Sequence, residues 1–113
     1  MVVMSHPRVV NIRVSKVGCV YIGRVSGSDF HWGNPFGRRG NLVAVRVSSR
    51  EEAVSCFRRW LVGSAFLDVE QGRRQWIIDH IGELRGKVLG CFCAPAACHG
   101  DVLARLADLV DEV

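Results

Sequence analysis

The segment that most constrains the fold lies in the last third of the sequence, where an apolar run leads through a short turn into an amphipathic helix. Residues 88–93 (V-L-G-C-F-C) are almost entirely apolar, which is typical of a buried strand. After a break at Pro95, residues 100–110 carry apolar side chains at helical spacing, and Asp101 stands in the first turn, where a carboxylate favours the helix dipole. A central strand that feeds straight into the last helix predicts an α/β fold, with a small mixed sheet and helices packed on it.

Shorter strands are predicted in the first half of the chain. Residues 8–14 and 19–24 are rich in β-branched side chains and are joined by a segment able to turn, and residues 42–47 predict a third strand. Between them, residues 25–40 shift to Gly, Ser, Asp, Asn and Pro with interleaved aromatic residues. This composition is typical of a long ordered loop rather than of a linker.

Two further helices are predicted between this loop and the central strand. Ser49 and Glu52 match a capping box, and the apolar residues that follow share one helical face (Ala53, Phe57, Trp60 and Leu61). Residues 74–84 carry a similar apolar pattern and end at a turn over residues 85–87. We expect both helices to pack on the predicted sheet.

Length and composition fit one α/β domain over residues 1–113. With 49% hydrophobic and 23% charged residues, the chain does not belong to the disordered class, and 113 residues are enough for one core. No apolar run approaches the roughly 20 residues needed to cross a bilayer, and His6, Pro7 and Arg8 stand where a signal peptide would need an apolar stretch. We therefore expect a cytoplasmic protein without a membrane partner.

The cysteine content and the net charge indicate which roles the thiols can have and which kinds of partner the chain can bind. Three of the five cysteines fall within eight residues, which suits a reduced compartment and ligand or nucleophile roles better than a disulfide scaffold. The net charge of +4 is compatible with an acidic partner such as a nucleotide or a nucleic acid, and equally with a solvated basic surface.

The first candidate site is the cysteine turn, which we define as residues 91–101 (C-F-C-A-P-A-A-C-H-G-D). Because alternate residues of a strand share a face, Cys91 and Cys93 are predicted to point together, away from Phe92. Cys98 and His99 come immediately before the last helix, where exposed N–H groups attract anions. We therefore predict an anion at the start of this helix, although the charge of Asp101 competes for the same N–H groups.

Three interpretations of the cysteine turn stay open. In the first, Cys91, Cys93, Cys98 and His99 bind zinc, although C-x-C-x4-C-H lacks the paired C-x2-C spacing of common structural sites. In the second, Cys98 is a reactive thiolate, because a helix N-terminus lowers a thiol pKa. In the third, Cys91 and Cys93 are small buried hydrophobic residues. We favour this packing role for the two strand cysteines and expect no cofactor, with zinc as the alternative.

The second candidate site is the WGNPF loop, which we define as residues 32–36. Trp32 and Phe36 could stack on a flat ring while Asn34 offers a donor and an acceptor to its edge, a combination that suits a nucleobase. Pro35 stiffens the loop and Gly33 permits close approach. We expect Asn34→Ala to weaken ligand affinity with little change in fold; the alternative is that Asn34 only holds the loop and that the aromatic residues fill the core.

At these two motifs the chain resembles the small phage and bacterial proteins grouped as domain-of-unknown-function family 4326. The resemblance covers most of the chain: V-V-N-I-R, V-Y-I-G-R, W-G-N-P-F, E-E-A-V with R-R-W-L, and G-K-V-L-G-C-F-C-A-P-A-A-C-H-G-D-V-L. Family members often carry Trp between the first two cysteines, so Phe92 is a departure. The resemblance implies a phage or bacterial cell as the setting, and nucleotide metabolism, DNA modification or interference with host defence as the context.

The resemblance also implies that the following residues belong to one constellation: Arg24, Trp32, Gly33, Asn34, Pro35, Cys93, Cys98, His99, Gly100 and Asp101. We expect a pocket between the two motifs that binds a nucleotide- or nucleobase-like small molecule, with or without turnover, and Phe36 to line it. One alternative is a cysteine-dependent transferase or hydrolase with Cys98 as nucleophile and His99 or Asp101 assisting. Another is a zinc-stabilised or nucleic-acid-binding phage protein that acts on a host partner.

Overall fold

The computed structural model describes residues 9–13, 18–93 and 96–109, and within these residues four short strands precede two α-helices, and a fifth strand is followed by a third α-helix. This arrangement confirms the predicted α/β class. The predicted break at Pro95 and the outer ends of the predicted elements at Arg8 and Val110 lie outside the described residues.

The main sheet has three strands, with β5 (Leu89–Cys91) between β1 (Val9–Asn11) and β2 (Val20–Tyr21). Every residue of β5 is buried, which explains why this strand needs an almost continuous apolar sequence. The central position predicted for the 88–93 strand is therefore confirmed. We predicted a mixed sheet, whereas both pairs described in this sheet are parallel.

A separate two-stranded parallel sheet lies in the region predicted as loop and third strand. Its strands are β3 (Phe36–Gly37) and β4 (Val45–Arg46), and Phe36 lies opposite Val45. The carbonyl of Pro35 accepts hydrogen bonds from the N–H groups of Ala44 and Val45 at 2.8 and 3.0 Å. The predicted strand over residues 42–47 thus pairs with the end of the WGNPF loop.

Helix α1 (Arg50–Leu61) starts at the predicted cap. The Ser49 hydroxyl accepts from the Glu52 N–H at 3.0 Å, and the Glu52 carboxylate accepts from the N–H of Ser48 at 2.9 Å rather than from that of Ser49. Its apolar face supplies the centre of the core, where Phe57, Trp60 and Leu61 are fully buried.

The other helices position the site. Helix α2 (Gln71–His80) starts three residues before the predicted position and continues as a 3₁₀ helix over Ile81–Leu84. Helix α3 (His99–Leu109) packs against α1 and against the main sheet. Because α3 begins shortly after β5 ends, the cysteine turn lies at the carboxyl edge of the sheet, next to the WGNPF loop.

Candidate functional site

A cavity of about 320 Å³ lies between the WGNPF loop and the cysteine turn. Residues from both motifs line it, together with the start of α1 and the end of β2. Such a position, at the carboxyl ends of parallel strands, is the usual ligand position in open α/β sheets. The lining includes Arg24, Asn34, Phe36, Cys91, Cys93, Cys98 and His99.

Four arginines line this cavity: Arg24, Arg38, Arg39 and Arg50. The guanidinium of Arg24 donates to the carbonyls of Asn34 and Phe36 at 2.7 and 2.9 Å, so it holds the WGNPF loop against β2. Burial lowers the pKa of Arg24 below its usual value. The other three arginines are exposed at the mouth and provide a concentrated positive charge.

The amide of Asn34 is occupied by the protein itself. Its Oδ1 accepts from the N–H of Phe36 at 2.9 Å, and its Nδ2 donates to the carbonyl of Ala53 at 3.1 Å. The side chain is only 6% exposed although the residue lines the cavity. This geometry supports the alternative in which Asn34 holds the loop, because each of its polar atoms is already bonded to a backbone group.

The aromatic residues of the WGNPF loop belong to the core. Trp32 does not line the cavity; it is buried against Trp76, with ring centroids 4.9 Å apart. Phe36 lines the cavity but is fully buried, and its ring lies 4.7 Å from that of Phe66. Only 8% of Trp32 is exposed, which leaves little ring surface for the stacking role predicted for it.

Gly33 and Pro35 shape the same loop. A Cβ on Gly33 would lie 2.9 Å from the Cα of Arg24, which is too close for any larger residue. The Gly33 carbonyl accepts from the buried guanidinium of Arg73 at 2.6 Å. Neither Gly33 nor Pro35 lines the cavity, so both act as scaffold for its wall.

The three cysteines of the cysteine turn converge as predicted for the strand pair, with Cys98 added from the start of α3. The sulfurs of Cys91, Cys93 and Cys98 all lie within 4.8 Å of one another, and those of Cys91 and Cys98 are 3.2 Å apart. Phe92, which stands between Cys91 and Cys93 in sequence, is 50% exposed and lines the same cavity. His99 lies outside this group of sulfurs.

The environment of Cys98 differs from the one predicted for a reactive thiolate. The side chain is 2% exposed, and hydrogen bonding with Cys91 and Cys93, followed by burial, raises the pKa of Cys98. The N–H of Gly100 donates to the sulfur at 3.3 Å and acts in the opposite direction. The expected lowering by the helix N-terminus is therefore outweighed by the neighbouring thiols.

His99 is a fully enclosed imidazole with a defined orientation. Its Nε2 lies 2.8 Å from the Ile22 carbonyl and 3.0 Å from the Trp32 carbonyl, so Nε2 must carry the proton. Burial lowers the pKa of His99 to about 4, and the ring is neutral at physiological pH. The unprotonated Nδ1 then faces the Cys98 sulfur at 3.7 Å.

Gly100 and Asp101 build the start of α3. A Cβ on Gly100 would lie 2.5 Å from the Cδ1 of Ile22, so Gly100 lets the helix approach the sheet. The carboxylate of Asp101 accepts from the Cys98 N–H at 3.2 Å and thus occupies a donor that an anion would need. Neither residue lines the cavity, which places the predicted catalytic Asp101 in a capping position.

A family model described as Domain of unknown function (DUF4326) matches residues 9–109, which span both motifs and the cavity between them. The chain belongs to this family. It is 33% identical over 69 residues to the "Uncharacterized 12.4 kDa protein in nrdA-td intergenic region" of Enterobacteria phage T4. The match covers 61% of this chain and 58% of that relative, so the chain spans a little over half of the relative's length. No solved structure matches the chain.

In this member of the DUF4326 family, sequence reasoning missed two aromatic residues at the cavity. Tyr21 and Phe92 both line it and are 41% and 50% exposed. Their rings meet edge to face with centroids 6.1 Å apart, and the guanidinium of Arg13 lies 5.0 Å from the Phe92 centroid. No local sequence pattern indicated this pair, because Tyr21 and Phe92 are 71 residues apart and meet only in the fold.

Sequence reasoning also left Arg50 unassigned. Arg50 is the first residue of α1 and lines the cavity, so the capping pattern at Ser49 already fixed its place at the helix start. As for membranes, no helix within the described ranges has the length and apolar character needed to cross one.

Proposed function

We propose that this protein binds a nucleotide-like small molecule in the arginine-lined cavity between the WGNPF loop and the cysteine turn. The observation that carries the proposal is the presence of four arginines around one cavity of about 320 Å³. Arginine guanidinium groups bind phosphate oxygens in pairs and stay charged at physiological pH. The volume is at the lower end of the range of small-molecule sites.

The two sides of the cavity suit the two parts of a nucleotide. Arg38, Arg39 and Arg50 offer exposed positive charge for the phosphate. Tyr21 and Phe92 offer exposed ring surface, on which a nucleobase can stack without a specific hydrogen bond. Nucleobase recognition is therefore assigned to these two rings rather than to Trp32.

Two rival functions receive less support from the geometry. A nucleophilic Cys98 would need a thiolate and access to a reacting carbon, whereas this thiol is buried and its pKa is raised. A nucleic-acid partner would be favoured by an extended basic groove. The arginines here surround one cavity, which fits a single nucleotide better.

The proposal is tested by calorimetric titration with nucleoside mono- and triphosphates and with inorganic phosphate. Arg50→Gln should weaken nucleotide binding by about 1 to 2 kcal/mol, or roughly 5- to 30-fold, because it removes a charge-assisted phosphate contact. Arg58→Gln is the matched control, since Arg58 is an exposed arginine of the same helix that does not line the cavity.

Equal affinity of both variants for every nucleotide would contradict the proposal. A short single-stranded oligonucleotide serves as the discriminating ligand. Binding of the oligonucleotide much more tightly than of any mononucleotide would favour the nucleic-acid alternative instead.

A further inference from the structure

Three thiols from two separate backbone segments meet at the base of the cavity. Cys91 is the last residue of β5, Cys93 lies in the bend that follows it, and Cys98 precedes α3. Their sulfurs lie within 4.8 Å of one another, and the Cys91–Cys98 pair is 3.2 Å apart. With zinc–sulfur bonds of about 2.3 Å, tetrahedral coordination places sulfurs about 3.8 Å apart, between these two distances. The group therefore has the dimensions of a site for a single ion.

We propose that Cys91, Cys93 and Cys98 together bind one zinc ion, whose fourth coordination position opens into the arginine-lined cavity. All three cysteines line that cavity, so an ion held by them has access to it. A zinc site with three protein ligands and one open position is the arrangement that accepts water or a ligand atom. The inference is independent of nucleotide binding, because it concerns only the sulfurs and the ion.

The charge balance of such a site is favourable. Binding releases three thiol protons to solvent, and three thiolates with one Zn²⁺ carry a net charge of −1. Arg24 and Arg50 both interact electrostatically with Cys93, so positive charge already surrounds the group. These arginines compensate a charge that would otherwise be costly to place in a half-buried position.

His99 lies beside the site without joining the group of sulfurs. Its Nε2 is held by the carbonyls of Ile22 and Trp32, and its Nδ1 is 3.7 Å from the Cys98 sulfur. An unprotonated Nδ1 cannot donate to a zinc-bound thiolate, so we assign His99 no role in holding Cys98 and leave the fourth coordination position to a water or ligand from the cavity.

The first test is metal analysis of protein purified without added zinc, followed by competition with a chromophoric chelator. We expect one zinc ion per chain in the unmodified protein. Cys93→Ser should weaken zinc affinity by more than roughly 100-fold, because it removes a direct ligand. Cys19→Ser is the matched control: both residues are half-buried, and Cys19 lies outside the group.

Two results would overturn the metal site. One is equal zinc affinity of Cys93→Ser and Cys19→Ser; the other is retention of stoichiometric iron in place of zinc. The variants are compared by circular dichroism in the zinc-free state, so that a misfolded Cys93→Ser protein is recognised. If Cys93→Ser does not fold, Cys93→Ala replaces it in the same competition.

Cobalt substitution tests the open position. Cobalt(II) in the site should give thiolate charge-transfer absorption and the intense visible bands of tetrahedral coordination, and added imidazole should shift those bands. His99→Gln should leave the spectrum unchanged. A spectrum that imidazole does not move, or that His99→Gln alters, would overturn the three-ligand assignment. No nucleotide is present in these measurements, so their failure is distinct from failure of the nucleotide proposal.

Discussion

The WGNPF loop and the cysteine turn border the same cavity, but their functional groups are used differently. In the loop, the protein itself occupies the polar groups: Asn34 bonds to two backbone groups, and the Gly33 carbonyl receives Arg73. In the turn, the sulfurs of Cys91, Cys93 and Cys98 face one another and the cavity. The polar groups of the loop therefore bond to the protein itself, whereas the sulfurs of Cys91 and Cys98 hydrogen-bond to one another beside the cavity.

This difference shows that recognisable chemistry in a motif does not reveal which atoms remain available. Asn34 and Trp32 have the side chains most suited to a nucleobase, yet both are buried: the amide of Asn34 bonds to backbone groups, and the ring of Trp32 packs against Trp76. The exposed groups of the cavity wall come instead from residues that flank the motifs, such as Arg50 and Tyr21. A buried polar side chain must be satisfied inside the protein, and this requirement decides its role.

The largest effect that would test the comparison is expected for Asn34→Ala. The substitution leaves the buried N–H of Phe36 without its side-chain acceptor and removes the hydrogen bond that ties the loop to the carbonyl of Ala53. We expect the free energy of unfolding to fall by about 2 to 3 kcal/mol, measured by chemical denaturation. Asn41→Ala is the control, because Asn41 is exposed in the neighbouring turn and should change stability by less than about 0.5 kcal/mol.

The distinction between the loop and the turn would be wrong if Asn34→Ala left the free energy of unfolding unchanged and weakened nucleotide binding. That outcome would restore the recognition role that the sequence suggested for Asn34. A fall in stability with nucleotide affinity retained would place the loop among the scaffold elements.

Patterns that depend on local chemistry could be predicted from the sequence. The cap at Ser49 and the apolar strand that contains Leu89 both appear in the structure, because capping and burial are determined within a few residues. The convergence of Cys91 and Cys93 was also predicted, although β5 ends at Cys91 and Cys93 lies in the bend that follows it.

Features that depend on partners distant in the sequence could not be predicted. The pairing of Phe36 with Val45 requires a loop closure that no short motif encodes. The partners of Asn34 and Trp32 are Ala53 and Trp76, 19 and 44 residues away. The interpretation of Cys98 as a reactive thiolate assumed that the helix N-terminus and His99 act on its sulfur, whereas the neighbouring thiols raise its pKa.

A smaller effect, on affinity alone, is expected at the cavity rim. Phe92→Leu removes an exposed ring beside the cysteine turn, so nucleotide affinity should fall by about 1 kcal/mol, or roughly fivefold, with little change in stability. Affinity for inorganic phosphate should not change, because phosphate has no ring to stack. Phe30→Leu is the matched control, since Phe30 is exposed and does not line this cavity.

Equal losses of nucleotide affinity for Phe92→Leu and Phe30→Leu, or a parallel loss of phosphate affinity, would contradict the stacking assignment.

Trp32→Leu tests a buried ring for comparison with the exposed rings of the cavity. Because Trp32 is buried away from the cavity, its replacement should lower stability and leave nucleotide affinity of the folded protein unchanged.

The smallest expected effect is a pH dependence of the free energy of unfolding, caused by a histidine next to the WGNPF loop. The Nδ1 of His31 accepts from the Gly33 N–H at 3.1 Å, and burial, with the charge of Arg73 adding to it, lowers the pKa of His31 below its usual value of 6.5. The folded state thus favours the neutral ring, so this contribution to stability is present above about pH 6.5 and is lost as the pH falls towards the folded pKa. Denaturation from about pH 7.5 to about pH 5 should show the unmodified protein losing stability relative to His31→Gln as the pH falls. A pH-independent difference between the two proteins would mean that the His31 ring contributes equally in both protonation states, and that the hydrogen bond to Gly33 does not stabilise the entry to the loop.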